Sequence, residues 1–171
     1  MEHDFKKKIA ILFFGTCFLV ILDQLTKWLA VQKLQNKEPF VLINGVFELH
    51  YLENYGSAFG LLQGQRVLFV LLALAMLVII PYLYMKLPCN SRFLFLRITS
   101  ILFLSGAIGN AIDRITHVYV VDFLYFSLIN FPIFNVADIY VTLAGCSFVL
   151  LMIFYYKEEE LEGIFNSKLQ K

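Results

Sequence analysis

The chain has 171 residues, of which 60% are hydrophobic, and its mean hydropathy is +0.74. A soluble domain carries roughly 45–50% apolar residues, so the composition predicts one integral-membrane domain over residues 1–171. The formal net charge is +1. No basic surface is therefore large enough to neutralise a run of phosphates, and a nucleic-acid partner is not expected. The acidic run at residues 158–162 is interpreted as a solvated tail.

Four apolar segments are long enough to cross a bilayer, which takes about 20 residues per helix. They cover residues 9–31, 67–85, 93–112 and 136–156, and they leave outer loops at 32–66 and 113–135. An even number of spans places both termini on one side. Nine lysines and arginines on that side against five on the other make it the cytoplasmic side. The first segment also resembles a cleaved signal peptide, but it ends without a small-residue cleavage site.

This topology brings the unusual polar residues to the outer ends of the spans. A carboxylate close to hydrocarbon is costly and indicates a functional site. The residues are Asp23 and Lys27 in the first span, Asn110, Asp113 and Arg114 at the end of the third, Asn135 and Asp138 at the start of the fourth, and Asn54 and Asp122 in the outer loops. The pattern predicts a site at the outer membrane interface.

Two adjacent carboxylates share one proton, and the pair then supplies a base for water and an acid for a departing amine. Asp23 has Lys27 four residues further on, and Asp113 is followed at once by an arginine, so these two are interpreted as structural carboxylates. Asp122 and Asp138 have no basic neighbour within four residues. By elimination they are the best candidates for a catalytic dyad.

The outer loops carry local signals of their own. Two β-prone runs, at 40–43 and 46–52, flank Asn44-Gly45, which is the strongest short hairpin signal. We therefore expect a small sheet in the first outer loop and a short aromatic interfacial segment in the second. In the third span, small residues spaced four apart indicate close helix packing.

Other chemistries and other functions fit the sequence less well. The three histidines lack ligand spacing for zinc, the three cysteines are isolated, and no metal or cofactor is expected. A Ser57–Lys27 dyad is conceivable, although Lys27 already has Asp23. A small proton-coupled carrier is the main alternative function, but the second span carries no charge. A structural subunit would not explain four aspartates at one depth.

Five blocks of the chain resemble, in order, the signature blocks of lipoprotein signal peptidase, also called signal peptidase II. They are Asp23-Gln-Leu-Thr-Lys27, Asn54-Tyr-Gly-Ser-Ala-Phe-Gly60, Gly106-Ala-Ile-Gly-Asn-Ala-Ile-Asp-Arg114, Val120-Val-Asp-Phe123 and Phe134-Asn-Val-Ala-Asp138. Departures are small: Ser57 stands where alanine is common, and Ser105 stands where a second glycine often precedes Gly106.

The resemblance implies a membrane-embedded aspartic endopeptidase of the bacterial cytoplasmic membrane, with its site at the outer face. Its substrates would be diacylglyceryl prolipoproteins, cut just before the lipid-carrying cysteine, and globomycin-type cyclic peptides would inhibit it. Membrane lipids are its other partners, and a monomer is expected. The implied catalytic pair is Asp122 and Asp138, supported by Asp23, Lys27, Asn54, Gly56, Gly60, Asn110, Asp113, Arg114 and Asn135.

Overall fold

The structure, a computed structural model, describes residues 2–56 and 64–165. Within these ranges, four helices are long and apolar enough to cross a membrane, as the composition predicts. Their bounds are Glu2–Leu34 for α1, Arg66–Lys86 for α2, Leu94–His117 for α3 and Val136–Leu150 for α4. The predicted helical membrane fold with a small β-sheet is confirmed.

Helix α3 is the centre of the bundle, and the other three helices all pack against it. Two glycines on α3 allow the close approach. A Cβ at Gly106 would lie 2.6 Å from the backbone oxygen of Ala137, and one at Gly109 would lie 2.5 Å from a carboxylate oxygen of Asp23. Close packing of this span was predicted from small residues four apart, Ser105 and Gly109, and it is observed at Gly106 and Gly109, which lie three apart.

Two helices extend beyond the spans expected from the sequence. Helix α1 continues to Leu34, and α3 continues to His117. The charge of Asp113 fails to end the helix because its side chain is buried and receives hydrogen-bond and ion-pair partners from other elements. The helix ends instead where Val118 adopts a left-handed conformation with φ 74°.

The outer loops form one three-stranded antiparallel sheet. Strands β1, Phe40–Ile43, and β2, Phe47–Asn54, form the predicted hairpin, whose turn contains Gly45 at φ 69°. Strand β3, Val120–Tyr125, comes from the second outer loop and pairs with β2, which gives the order β1-β2-β3. This strand is additional to the interfacial segment expected in that loop.

Strand β3 is held against the end of α1. Val121 and Phe123 are buried in a cluster with Ala30 and Leu34 of α1. The next residues of the loop form a short 3₁₀ turn, Ser127–Ile129. This packing fixes Asp122, which lies between the two buried apolar residues, beside the end of the bundle at which α1 and α3 end and α4 begins.

The opposite end of the bundle is closed by the C-terminal segment. Helix α4 runs into a π-helical turn, Leu151–Tyr155, and α5 follows at Glu158–Phe165. Arg92 donates hydrogen bonds to both carboxylate oxygens of Glu160, each at 2.9 Å. Leu161 of α5 packs on the apolar cluster beneath it. The interpretation of the acidic run as a solvated tail is therefore wrong, since the run forms a docked helix.

Candidate active site

Asp122 and Asp138 are brought together by Asn135, the residue that precedes α4. The Asn135 side chain donates from Nδ2 to Asp122 Oδ1 at 2.6 Å. Its backbone N–H donates to Asp138 Oδ2 at 3.1 Å. Asp122 and Asn135 are almost completely buried. One residue thus binds both predicted catalytic carboxylates.

The position of Asp138 follows from how α4 begins. The Asn135 side chain accepts from the backbone N–H of Asp138 at 3.0 Å, and the Asp138 carboxylate accepts in return from the backbone N–H of Asn135. This reciprocal arrangement is a capping box, in which the third helical residue points back to the N-cap. The cap directs the Asp138 carboxylate out of the first turn and towards β3.

Asp122 accepts a second hydrogen bond, from Asn54 Nδ2 to its Oδ2 at 2.8 Å. Burial raises the pKa of the Asp122 carboxyl to about 7, and the negative charge of Asp138 adds to the increase. The amide donors of Asn54 and Asn135 and the charge of Lys27 act in the opposite direction without cancelling it. A carboxyl with this pKa exchanges its proton near neutral pH, as a general acid or base requires.

A buried cluster of charged side chains is connected to the predicted dyad of Asp122 and Asp138 through Asn110. Lys27 Nζ lies 3.0 Å from both Asp23 and Asp113 and donates to Asn110 Oδ1 at 2.9 Å. Asn110 Nδ2 in turn donates to Asp138 Oδ1 at 2.8 Å. Asn110 therefore connects the charge cluster to the dyad and fixes the second carboxylate from α3.

Both carboxylates interpreted as structural lie next to a lysine, but one partner differs from the expected residue. Asp23 pairs with Lys27 as predicted. Asp113 also pairs with Lys27 rather than with its sequence neighbour Arg114. The error arises because adjacent helical residues point about 100° apart, so Asp113 faces Lys27 of α1 while Arg114 faces the Phe69 ring of α2.

Sequence reasoning missed several donors that complete this cluster. Gln24 Nε2 lies within hydrogen-bond distance of Asp113 Oδ1 at 2.9 Å and of Asp23 Oδ2 at 3.2 Å. The backbone N–H groups of Ala137 and Val121 donate to Asp23 and Asp113 respectively. Gln24 could have been found, because it is an amide beside Asp23 in an apolar segment. The two backbone donors carry no sequence signal.

Arg114 lies at the edge of the site, between β2 and α2. Its guanidinium donates to the backbone oxygen of Gly56 at 2.9 Å and lies 4.3 Å above the Phe69 ring of α2. The Gly56 N–H donates to Asn54 Oδ1 at 2.9 Å, which orients the amide that contacts the dyad. These contacts join α2, α3 and the end of β2 around the carboxylates.

Two residues considered from sequence, Gly60 and Ser57, lie outside the described residues. The Ser–Lys alternative also loses its base, because Lys27 is ion-paired to two carboxylates and hydrogen-bonded to Asn110.

The dyad faces a cavity of about 620 Å³. Asp122, Asp138, Asn54, Asn110 and Arg114 form its polar wall. Apart from Thr142, the rest of the lining is apolar. It comes mainly from α2, α3, α4 and the end of the second outer loop, and it includes Leu72, Met76, Phe103, Phe131, Phe134, Val141 and Leu143. The cavity thus combines two carboxylates with walls suited to a peptide that carries hydrocarbon.

Comparison with known proteins identifies the family to which the chain is similar. Residues 16–154 match the family model described as Signal peptidase (SPase) II. A protein named "Lipoprotein signal peptidase" from Clostridium novyi (strain NT) is 38% identical over 154 residues, which cover 88% of this chain and 98% of that protein. The protein of the same name from Clostridium tetani (strain Massachusetts / E88) is 40% identical over 84% of this chain and 90% of its own length.

Solved structures agree with the sequence comparison. A bacterial membrane enzyme determined by the in meso method at 2.3 Å resolution superposes with a TM-score of 0.77 at 27% identity, over 88% of this chain and 93% of that one. A second such enzyme, determined at 1.9 Å resolution, gives a TM-score of 0.74 at 27% identity, over 86% and 96% of the two chains.

Proposed function

The chain belongs to the signal peptidase II family, and on that premise we propose that it cleaves the signal peptide from diacylglyceryl prolipoproteins. The cut falls just before the lipid-carrying cysteine and frees the amino group of that residue. The whole of residues 1–171 acts as one integral-membrane peptidase domain. The geometry adds nothing in favour of the carrier alternative, since the polar network of the site lies at one end of the bundle.

We propose that the peptidase is of the aspartic type, with Asp122 and Asp138 as its catalytic residues. The observation that carries the proposal is the double contact of Asn135, whose side chain binds Asp122 and whose backbone binds Asp138. Two carboxylates held this way beside one cavity retain a single shared proton, because their charges oppose double ionisation.

The reaction follows from that shared proton. The ionised carboxylate takes a proton from water, and the water oxygen attacks the carbonyl carbon of the scissile bond, while the protonated carboxyl donates its proton to the carbonyl oxygen. The tetrahedral intermediate then collapses: one of its hydroxyl groups returns a proton to the carboxylate that is now ionised, the C–N bond breaks, and the other carboxyl gives its proton to the leaving nitrogen, which restores the singly protonated dyad. The products are a signal peptide with a free carboxylate and a lipid-carrying cysteine with a free amine.

The remaining site residues act by positioning. Asn54 and Asn110 each donate to one carboxylate and keep the dyad aligned. Arg114 and Gly56 form the polar rim through which the peptide backbone enters. Asp23, Lys27 and Asp113 hold α1, α3 and the start of β3 in register, and we assign Gly60 a supporting role as the resemblance implies.

The cavity suggests how the lipid-carrying substrate reaches the dyad. Helices α2 and α4 form its two sides and α3 its floor. Among the described residues, α2 and α4 approach each other at almost no point. The diacylglyceryl chains remain among the lipids outside this gap, while the peptide extends to the carboxylates. Holding the substrate at one depth supplies proximity that a soluble protease obtains through binding alone.

We further propose a bacterial cytoplasmic-membrane location with both termini in the cytoplasm and the dyad at the outer face. The distribution of lysine and arginine supports this orientation, because nine of these residues lie in the sequence segments expected on the cytoplasmic side and five in those expected on the outer side. The enzyme acts as a monomer, and prolipoproteins and membrane lipids are its partners. Globomycin-type cyclic peptides inhibit it by occupying the cavity beside the dyad.

The test is cleavage by the purified protein in lipid, with the products identified by mass spectrometry. A diacylglyceryl prolipoprotein should be cut on the amino side of the modified cysteine, and the same precursor without the lipid should be cut poorly. Globomycin should stop the reaction. Cleavage elsewhere in the precursor, or equal cleavage with and without the lipid, would refute the proposed substrate.

A further inference from the structure

The edge strand of the outer sheet is apolar on both faces. In β1, the exposed fractions are 58% for Phe40, 50% for Val41, 49% for Leu42 and 57% for Ile43. Strand β1 is an edge because it pairs with β2 alone in the sheet order β1-β2-β3. Edges that face water are normally protected by charges, proline or a covering segment. Within the strand itself, β1 has no charge and no proline.

A second exposed apolar segment adjoins this strand. Leu128 and Ile129, in the 3₁₀ turn of the second outer loop, are each 68% exposed. The backbone N–H of Leu128 donates to the backbone oxygen of Val46 in the hairpin turn at 3.4 Å. The rings of Phe47 and Phe126 lie 4.8 Å apart just behind this contact. Both segments therefore belong to one surface.

We call this surface the outer ridge. It comprises Phe40, Val41, Leu42, Ile43, Leu128 and Ile129.

The outer ridge is continuous with the lipid-facing surface of the bundle. Phe126 stacks on Phe134 at 5.8 Å, and Phe134 lines the cavity together with Phe131. The same cavity is lined further down by Leu143 of α4, which is 51% exposed on a candidate membrane span. Apolar surface thus extends from the spans, along the rim of the cavity, to the sheet.

We propose that the outer ridge inserts into the outer leaflet of the bilayer and sets the depth at which the sheet presents Asp122. Insertion of the outer ridge depends only on the fold, whereas the depth-setting role rests on the proposed peptidase function. The partner is the boundary between headgroups and acyl chains. A patch of six large apolar side chains, continuous with a membrane span, is stabilised there by the transfer of apolar area out of water.

The depth follows from the backbone of β1. Among the described residues, no second strand pairs with the outer edge of β1, and backbone N–H and C=O groups without such a partner do not occur in lipid-exposed hydrocarbon. The strand must therefore lie level with the headgroups, where water satisfies its backbone, while its side chains reach the start of the acyl region. Since β3 is in the same sheet, fixing β1 also fixes Asp122 relative to the lipid-anchored substrate.

Insertion can be measured by tryptophan quenching in proteoliposomes. The chain has one tryptophan, Trp28, so Trp28→Phe provides a silent background. Val41→Trp and Leu128→Trp report on the two parts of the outer ridge, and Lys37→Trp, at an exposed polar site before β1, is the matched control. We expect lipids brominated near the top of the acyl chain to quench both ridge tryptophans and spare the control. Quenching at the ridge no greater than at Lys37→Trp would overturn the proposal.

Quenching that depends on protein density, together with cross-linked dimers, would also overturn it. In that case β1 would pair with a second copy of the chain instead of the bilayer.

The effect on depth is tested with the double variant Leu128→Ser/Ile129→Ser, neither residue of which touches the dyad. Cleavage of a substrate embedded in vesicles should fall about tenfold, because the serines lose the transfer free energy that holds the sheet at depth. Cleavage of the same substrate in detergent micelles should not change. An equal loss in vesicles and micelles, or no loss in either, would overturn the depth-setting role. If the wild type does not cleave, the peptidase assignment fails while quenching still decides insertion.

Discussion

Asn135 is the residue on which the geometry of the site depends, because it performs two tasks with one side chain and its own backbone. It caps α4, and it connects Asp122 to Asp138. The two tasks use different atoms: Oδ1 accepts from the helix, while Nδ2 donates to Asp122 and, at 3.1 Å, to Asn110. A substitution can therefore separate them.

The variant Asn135→Asp should still cap α4 but should lose the hydrogen bond that connects this residue to Asp122. Aspartate caps helices as well as asparagine does, but it lacks the Nδ2 donor and adds a third carboxylate beside the dyad. We expect kcat to fall about a hundredfold or more, as for the loss of a group that aligns an acid–base catalyst, with the protein still folded. Asn90→Asp is the matched control, since Asn90 caps the 3₁₀ turn Ser91–Phe93 far from the site. Normal kcat in Asn135→Asp would contradict the bridging role.

The raised pKa of Asp122 predicts how stability depends on pH. Between its ordinary value of 3.8 and about 7, the folded protein retains a proton on Asp122 that the unfolded chain has released. The free energy of unfolding should therefore decrease as pH rises through this window. Thermal unfolding in detergent at a series of pH values measures the slope. Asp122→Asn should have a shallower slope than wild type, and an unchanged slope would mean that Asp122 is not the titrating group.

At the scale of elements, close packing around α3 places the carboxylates. Gly109 faces the Asp23 carboxylate, and Gly106 faces the backbone of α4. Asp23 cannot move away, because it is ion-paired with Lys27 and accepts from the backbone N–H of Ala137. Neither glycine has room for a methyl group, although alanine is the better helix former.

Gly106→Ala and Gly109→Ala should each destabilise the protein by about 1–3 kcal/mol, as overpacking of a tight interface does. Gly145→Ala in α4 is the matched control, since its Cβ would meet only a Phe103 ring atom at 4.0 Å. That variant should keep or slightly increase its stability, because alanine has the higher helix propensity. Unfolding in detergent measures all three variants. Equal stability of the three would show that α3 packs less tightly than described.

The elements most easily predicted were those with a local signal. Long apolar runs indicated the four spans, and Asn44-Gly45 indicated the hairpin. Strand β3 was missed because its partner β2 is distant in sequence and the loop between them gives no sign of the pairing. The extension of α3 past Asp113 was missed for a similar reason, since the partner that stabilises this charge, Lys27, lies on another helix.

Helix α5 was also missed. A run of acidic residues usually indicates a solvated segment, and the sequence does not show that Arg92 donates to Glu160. Hydrogen bonds from Arg92 lower the pKa of Glu160 to about 2. The stabilisation of docked α5 by the Arg92–Glu160 contact is fully present above the ordinary carboxyl pKa of 4.5. It is lost as the pH falls towards 2 and Glu160 becomes protonated.

Glu160→Gln should loosen α5 without affecting cleavage. Amide hydrogen exchange at neutral pH should accelerate by about two- to fivefold in residues 158–165, the range expected for an exposed ion pair. Glu159→Gln, at an exposed position on the same helix, is the control and should exchange like wild type. Similar acceleration in both variants would show that helix charge, and not the Arg92 contact, holds α5.

At the scale of the whole molecule, residues from five separate segments meet at one end of the bundle. Asp23 and Lys27 come from α1, Asn54 from β2, Asn110 and Asp113 from α3, Asp122 from β3, and Asn135 and Asp138 from the start of α4. Topology alone predicted that they share one depth. The sequence could not predict which atoms form hydrogen bonds. The bonds made by Asn135 and Asn110 depend on how side chains from different helices and strands are oriented towards one another.

The measurement that tests the central claim most directly is cleavage of a diacylglyceryl prolipoprotein by wild type, Asp122→Asn and Asp138→Asn in lipid with a chelator present. Asp4→Asn, an exposed aspartate at the other end of the molecule, is the control. If the dyad account is right, both site variants remain folded and lose about 10³-fold or more in kcat, whereas wild type and Asp4→Asn cut normally. Near-normal turnover by either folded site variant would contradict the aspartic mechanism assigned to this pair.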